Sequence, residues 1–188
     1  PPLSEAAYSD MTPSNIKKGD LIVGNLVELN HYLAQHPAFL AQLNSGFGEG
    51  ACDVVAGGPP CQSFSLAGLR QLDNDRNTLP WEFAKFVQHV KPKFAVLENV
   101  SGILRAFKQG TQKYYAWFEV AQAFAKVGYI PLCLHVNAKL AGVAQNRPRF
   151  IMIAVRADIL AQLKPHLNDT ECALFNGAET LYQRVNNN

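Results

Sequence analysis

Short continuous apolar runs alternate along this chain with stretches whose apolar residues recur at helical spacing. Residues 26–43 are weakly amphipathic and predict one helix, which the glycine cluster at 46–50 breaks. Asp53-Val54-Val55-Ala56 then predicts a short buried strand, stopped by Gly57-Gly58-Pro59-Pro60. A polar loop follows over 62–77. Residues 78–90 place Leu79, Phe83, Phe86, Val87 and Val90 on one helical face, with Pro80 tolerated in the first turn. Phe94-Ala95-Val96-Leu97 is a second apolar strand. Residues 114–127 predict a further helix, with Trp117, Val120, Ala121, Phe124 and Val127 facing inward and Gly128 as its stop. Two last strands, over 130–136 and 150–155, are expected to pair across the connection at 137–148. The first twenty residues, rich in Pro, Ser and Lys, predict irregular structure.

Strand, helix, strand, helix and two more strands describe an α/β fold with a mainly parallel sheet. Ligands of such sheets gather beyond the carboxyl ends of the strands. The turn that begins at Gly57 and the triplet Glu98-Asn99-Val100 are therefore expected to face one site.

Composition narrows the class. The chain has 188 residues, 48% of them hydrophobic, enough for one core. No apolar stretch approaches the ~20 residues that span a bilayer, and the start shows no basic-then-apolar signal peptide. A soluble intracellular protein is the expectation, cytoplasmic in a prokaryote and nuclear in a eukaryote. A net charge of +2 does not announce a nucleic-acid partner, so any basic surface must be local. The four cysteines, Cys52, Cys61, Cys133 and Cys172, form no CxxC pair and have no histidine cluster around them. A metal site and a disulfide framework are not expected, and one thiol is left to be reactive.

Candidate chemistry sits at the predicted strand ends. Cys61 follows the constrained Gly-Gly-Pro-Pro turn. A free cysteine is most often a small buried hydrophobe, and Cys61 is distinguished only by its company. Glu98 closes an otherwise apolar strand, where a carboxylate is usually a solvated terminus. Gln145, Arg147 and Arg149 alternate into the last strand and share one side if that segment is extended. The combination is less easily accidental than any member.

Three segments carry a resemblance. The run from Pro59 through Cys61 to Gly68, the triplet Glu98-Asn99-Val100, and Gln145-Asn146-Arg147-Pro148-Arg149 resemble, in order and separation, signature motifs of the cytosine-5 DNA methyltransferases. Asp75-Arg76-Asn77-Thr78-Leu79 is similar to a further element, with Asn77 where a glycine is common, and Gly19-Asp20-Leu21 more weakly resembles the adenine-contacting turn. Together the matches span about 19–155.

The resemblance implies a Rossmann-like, S-adenosylmethionine-dependent methyltransferase fold whose last strand runs antiparallel. It assigns Cys61 as the nucleophile that adds to carbon 6 of cytosine and so activates carbon 5. It implies that Glu98 holds a proton at N3 and engages the N4 amino group, that Arg149 binds the O2 carbonyl, and that Arg147 supports the cysteine loop or nearby charge. S-adenosylmethionine is the implied donor, with Asp20 on the adenine amino group, Leu21 packed on the base, Pro60 near the sulfonium and Leu79 lining the pocket. Asp20 reads equally well as a turn aspartate. Double-stranded DNA is the implied partner, its target base flipped out, with the 62–77 loop closing over it and Arg70 and Arg76 near phosphates. Asn99 is expected to brace the loop after its strand rather than touch the ring.

Two family features have no match: the glycine-rich first motif before Asp20, and a target-recognition region after Val155. The expected organisation is the central part of a catalytic domain over 1–155 and a tail of unassigned role over 156–188. The fold is expected to be incomplete: a fragment first, then one chain of a split enzyme with a complementing chain, then a degenerate remnant. A tRNA-directed enzyme, a non-catalytic partner and a thiol oxidoreductase are the competing functions. Intact Cys61, Glu98 and Arg149 count against the second, and the lack of a resolving cysteine counts against the third.

Overall fold

The computed structural model describes residues 18–60, 79–109 and 112–187. Cys61, the expected loop over 62–77 with Arg70 and Arg76, and residues 1–17, expected to be irregular, lie outside that range. Helices α1 (Leu26–Gln35) and α2 (Pro37–Asn44) come first, then β1 (Val54–Gly57), α3 (Leu79–Val90) and β2 (Phe94–Val100). A small hairpin, β3 (Ala106–Gln109) and β4 (Gln112–Tyr115), leads into α4 (Ala116–Lys126). Then follow β5 (Tyr129–Asn137), β6 (Pro148–Arg156), α5 (Ala157–Leu163) and α6 (Asp169–Asn186).

The main sheet has the order β1-β2-β6-β5. β1 and β2 are parallel, from Val54↔Phe94 to Gly57↔Leu97. β6 runs antiparallel to both β2 and β5, so three strands point one way and the last strand the other. This is the expected mainly parallel sheet with an antiparallel last strand. β5 and β6 form the expected pair, and the chain returns through β6 into the space between β5 and β2.

Several expected elements are corrected. The single helix over 26–43 is two, because Pro37 lacks an N–H and forces His36 out of helical geometry, at φ −123° and ψ 72°. The strand expected to end at Leu97 continues to Val100, because β6 supplies partners along its whole length. The helix expected from 114 begins at Ala116, since Tyr114 and Tyr115 are drawn into the β3–β4 ladder opposite Phe107 and Ala106. β1 is not buried. Val54 and Ala56 are exposed, because among the described residues β1 has a sheet neighbour on one side only.

α3 and α4 cover one side of the sheet. Phe83 and Val87 of α3, and Val120, Ala121 and Phe124 of α4, pack with Ala95, Leu97, Phe150, Met152 and Ala154. Gly128 stops α4 in the left-handed region, φ +95°, as its position suggested. A second cluster joins Ile130, Val155 and Leu160 to Phe175, Ala178 and Tyr182 of α6. α6 opens with a reciprocal cap, in which Asn168 Oδ1 accepts from Glu171 N and Glu171 Oε2 accepts from Asn168 N. Its Asn186 side chain donates to Ala125 O of α4 at 3.0 Å. Residues 157–186 are thus packed helices.

At the end of β1 the backbone passes directly over an aromatic ring. A Cβ on Gly57 would lie 2.7 Å from Phe83 Cε2, and Phe83 is 5% exposed, with no space to turn away. Gly57→Ala is therefore expected to cost about 1–3 kcal/mol. A urea midpoint equal to that of the parent protein would show that the ring does not confine this strand end.

Candidate active site

The end of β1 and the second half of β2 lie side by side, and strand alternation divides their chemistry between two faces. Along β2, Ala95, Leu97 and Asn99 point into the α3–α4 core, whereas Glu98 and Val100 point to the other side. Asn99, 4% exposed, donates from Nδ2 to Pro59 O at 3.0 Å and so ties the turn after β1 to the neighbouring strand. The bracing was expected on the loop after β2; the backbone it holds is instead the turn after β1, because β1 is the neighbouring strand. Glu98 approaches the same turn from the opposite face: a Cβ on Gly58 would sit 3.3 Å from Glu98 Oε2. A glycine there lets the carboxylate lie against the backbone.

Arg149 reaches this carboxylate from β6. It stands opposite Val100 in the ladder, one step diagonal from Glu98, on the same side of the sheet. Its Nε lies 2.6 Å from Glu98 Oε1 in an ion pair, although the N–H bond is not aligned on the oxygen. Nη1 donates to Pro148 O at 2.9 Å and restrains the guanidinium. The side chains are 46% exposed for Glu98 and 22% for Arg149, so the pair opens to solvent at the strand ends.

Arg147 does not join it. β6 begins only at Pro148, and the expected extension back to Gln145 is a turn instead. There Asn137 Oδ1 accepts from Lys139 N and Arg147 N, and Asn137 Nδ2 donates to Asn146 Oδ1. Arg147 is exposed.

Beside the turn is a cleft of about 510 Å³, lined by Gly24, Asn25, Leu26, Val27, Pro59, Pro60 and Leu79. Its volume lies in the range that small-molecule ligands occupy. Of the four residues expected around a cofactor, Pro60 and Leu79 line this cleft. Asp20 and Leu21 are exposed and do not line it. The lining by Gly24–Val27 was missed, because a loop entering a helix carries no local mark of what its backbone will border.

A protein-family model described as C-5 cytosine-specific DNA methylase matches residues 40–184. The chain belongs to that family. Among its relatives, the type II methyltransferase M.DdeI of Desulfomicrobium norvegicum is 42% identical over 106 residues, 56% of this chain and 25% of that protein. The orphan methyltransferase M.SPRI of Bacillus phage SPR is 40% identical over 110 residues, 57% of this chain and 24% of that protein. The chain thus spans about a quarter of the length of the curated relatives it matches. A solved structure of an E. coli prophage-encoded protein, described as a DNA modification methyltransferase, superposes with a TM-score of 0.50. It is 24% identical and covers 73% of this chain and 34% of that one, a likeness of fold.

Among the described residues no group of three or more His, Cys, Asp or Glu is arranged to hold a metal ion, and no helix is long and apolar enough to cross a membrane. Two of this methylase-family chain's other thiols are held protonated. Burial, helped by the nearby Asp53 charge, raises the pKa of Cys52, and burial pushes Cys133 up to about 12.

Two predictions follow from this geometry. Asn99→Ala leaves Pro59 O without its buried donor and is expected to cost about 1–3 kcal/mol in urea unfolding; an unchanged midpoint would mean the turn is held by other contacts. Cys133, whose folded-state pKa is raised, favours the native state while protonated. That contribution is lost as pH climbs above ~8.5, where the unfolded thiol ionises first. At pH 8.5 iodoacetamide should modify Cys133 only after unfolding, as read by peptide mass spectrometry.

Proposed function

We propose that this region belongs to an enzyme that transfers a methyl group from S-adenosylmethionine to carbon 5 of a flipped-out cytosine in double-stranded DNA. The observation that carries the reading is the adjacency of Glu98 and Arg149, 2.6 Å apart, beside the turn that leads directly into Cys61. O2 and N3 are neighbouring positions of cytosine, and a guanidinium next to a carboxyl group matches them in order.

The Cys61 thiolate adds to carbon 6, breaking the ring's aromaticity and leaving an electron-rich carbon 5. Glu98 holds a proton at N3 and accepts from the N4 amino group, so that negative charge entering the ring is neutralised where it collects. Arg149 donates to O2 and stabilises charge there. S-adenosylmethionine, when bound, supplies an electrophilic methyl group and leaves as the neutral thioether. With the methyl group bonded to carbon 5, a water molecule takes the carbon 5 proton. The C–H electrons re-form the 5,6 double bond as the carbon 6–sulfur bond breaks and the cysteine leaves as thiolate. The cleft beside Pro60 is the proposed donor site, with Leu79 on its wall. Asp20 and Leu21 act there only if the segment before Gly24 closes toward it. Arg147, which is exposed, is assigned to the cysteine loop or to nearby charge.

Base flipping costs a few kcal/mol of stacking and pairing, which contacts from the 62–77 loop are proposed to offset, with Arg70 and Arg76 on phosphates. Target recognition and the rest of the donor site are assigned to segments outside the described residues or to a complementing chain. The side of β1 that has no strand partner among the described residues is a place for such a segment to add to the sheet.

The test uses the protein that contains this region, incubated with S-adenosylmethionine and duplex DNA carrying 5-fluorocytosine at target sites. Fluorine cannot leave as the proton does, so a covalent protein–DNA adduct should accumulate. Cys61→Ala should give no adduct and lower methyl transfer by at least about a thousandfold while DNA binding persists. Methyl transfer without an adduct on the fluorinated duplex would overturn the covalent mechanism. Transfer to tRNA but not to DNA would overturn the substrate.

A further inference from the structure

The described residues contain three buried polar or charged side chains, Asn30, Glu82 and Asn99. Asn30 and Glu82 themselves line a second cleft with Lys85 and His89, while each of the three is tied to an element that borders the cleft beside Pro60. Asn99 holds Pro59, which lines it. The other two join the helices that form its remaining walls. Asn30 lies one turn beyond Val27 of α1, and Glu82 one turn beyond Leu79 of α3, and both Val27 and Leu79 line the cleft.

The link between them is double. Asn30 Nδ2 donates to Glu82 O at 2.8 Å and to Glu82 Oε2 at 2.9 Å, while Lys85 pairs with the other carboxylate oxygen. Burial alone would push the Glu82 carboxyl upward. The bonds from Lys85 and Asn30 outweigh it and hold the group below the usual carboxylate range. An interface of aliphatic side chains would avoid the cost of burying a charge. It would not set the spacing of the two helices, because apolar contacts tolerate sliding where a hydrogen bond of fixed direction does not. The neighbouring contacts of Leu29, Tyr32 and Phe86 are of that sliding kind.

We infer that Asn30 and Glu82 are positioning residues that set the spacing of α1 and α3 where their first turns border the cleft that the methyl donor enters. This rests on the cleft being the donor site, as proposed above. The pair touches neither donor nor base. It acts through Val27 and Leu79.

The test is steady-state kinetics of the protein containing this region, with donor and DNA varied separately. Asn30→Ala and Glu82→Ala are expected to raise KM for S-adenosylmethionine by about tenfold or more. At saturating donor, kcat should stay within about twofold, and KM for DNA should not move. Glu82→Gln supplies the conservative control. Its carboxamide keeps the acceptor for Asn30 Nδ2 and gives up the charge that pairs with Lys85. It should therefore recover most of the donor affinity lost in Glu82→Ala.

A purely structural role would lower the melting temperature and leave the donor KM of the folded fraction unchanged; that result overturns the inference. So does a Glu82→Gln variant as impaired as Glu82→Ala. Should Asn30→Ala not fold, Asn30→Ser shortens the reach with less loss of polarity and is expected to show the same donor-selective rise. A parent protein that transfers no methyl group would instead overturn the methyltransferase reading itself. An active parent with an unchanged KM in every variant overturns only the role of the pair.

Discussion

The antiparallel pairing of β6 with β2, from Phe94↔Val155 to Val100↔Arg149, is the contact on which the candidate site depends. β5 and β6 are consecutive, yet β5 sits at the far edge and β6 returns to the middle of the sheet. That return brings Arg149 to the end of β2. Strand side chains alternate, so a slip of one residue in this register would move Arg149 to the core face and leave Glu98 facing an apolar neighbour. Buried Phe150, Met152 and Ala154 oppose such a slip, because it would expose them all. The same apolar packing that stabilises the sheet therefore sets the position of the arginine.

The ion pair itself contributes little to stability. Both partners meet solvent, Glu98 by nearly half of its side chain, and exposed pairs are worth about 0–1 kcal/mol. Its use is to keep a carboxyl and a guanidinium close together at an accessible strand end. The buried asparagines are a different case. Asn99 and Asn30 sit where water does not reach, and their hydrogen bonds have a direction that apolar packing lacks. Stability is drawn mainly from the aromatic and aliphatic core, and placement from a few polar links.

Those links matter because the cleft lies between two packing units. Tyr32, Leu33 and Phe39 of α1 and α2 form a small cluster of their own, separate from the main core. α3 belongs to both, through Phe86 on one side and Phe83 and Val87 on the other. A wall carried on a satellite cluster needs a fixed connection to the sheet, and the Asn30–Glu82 link provides one. On the opposite side, Asn99 does the same for Pro59.

Much of this was legible in the order of residues. Helical spacing marked the inner faces of α3 and α4, the apolar runs marked the four strands of the main sheet, and Gly57–Pro60 marked the turn before Cys61. The motifs around Cys61, Glu98 and Arg149 named the family. The division of Glu98 and Asn99 between opposite faces was not legible, because the apolar run ends at Leu97 and only pairing with β6 extends the strand to Val100. Three things were not local. The β3–β4 hairpin depends on pairing between two segments that are each weak strand formers. The break at His36 depends on where α2 packs as well as on Pro37. The joining of Asn30 to Glu82, of Asn99 to Pro59, and of Arg149 to Glu98 depends on which elements become neighbours. Sequence determined which chemistry this protein carries, since side-chain identity and period are written residue by residue. Tertiary structure alone decided which of those groups meet, since strand order and register are settled by burial summed over the whole sheet.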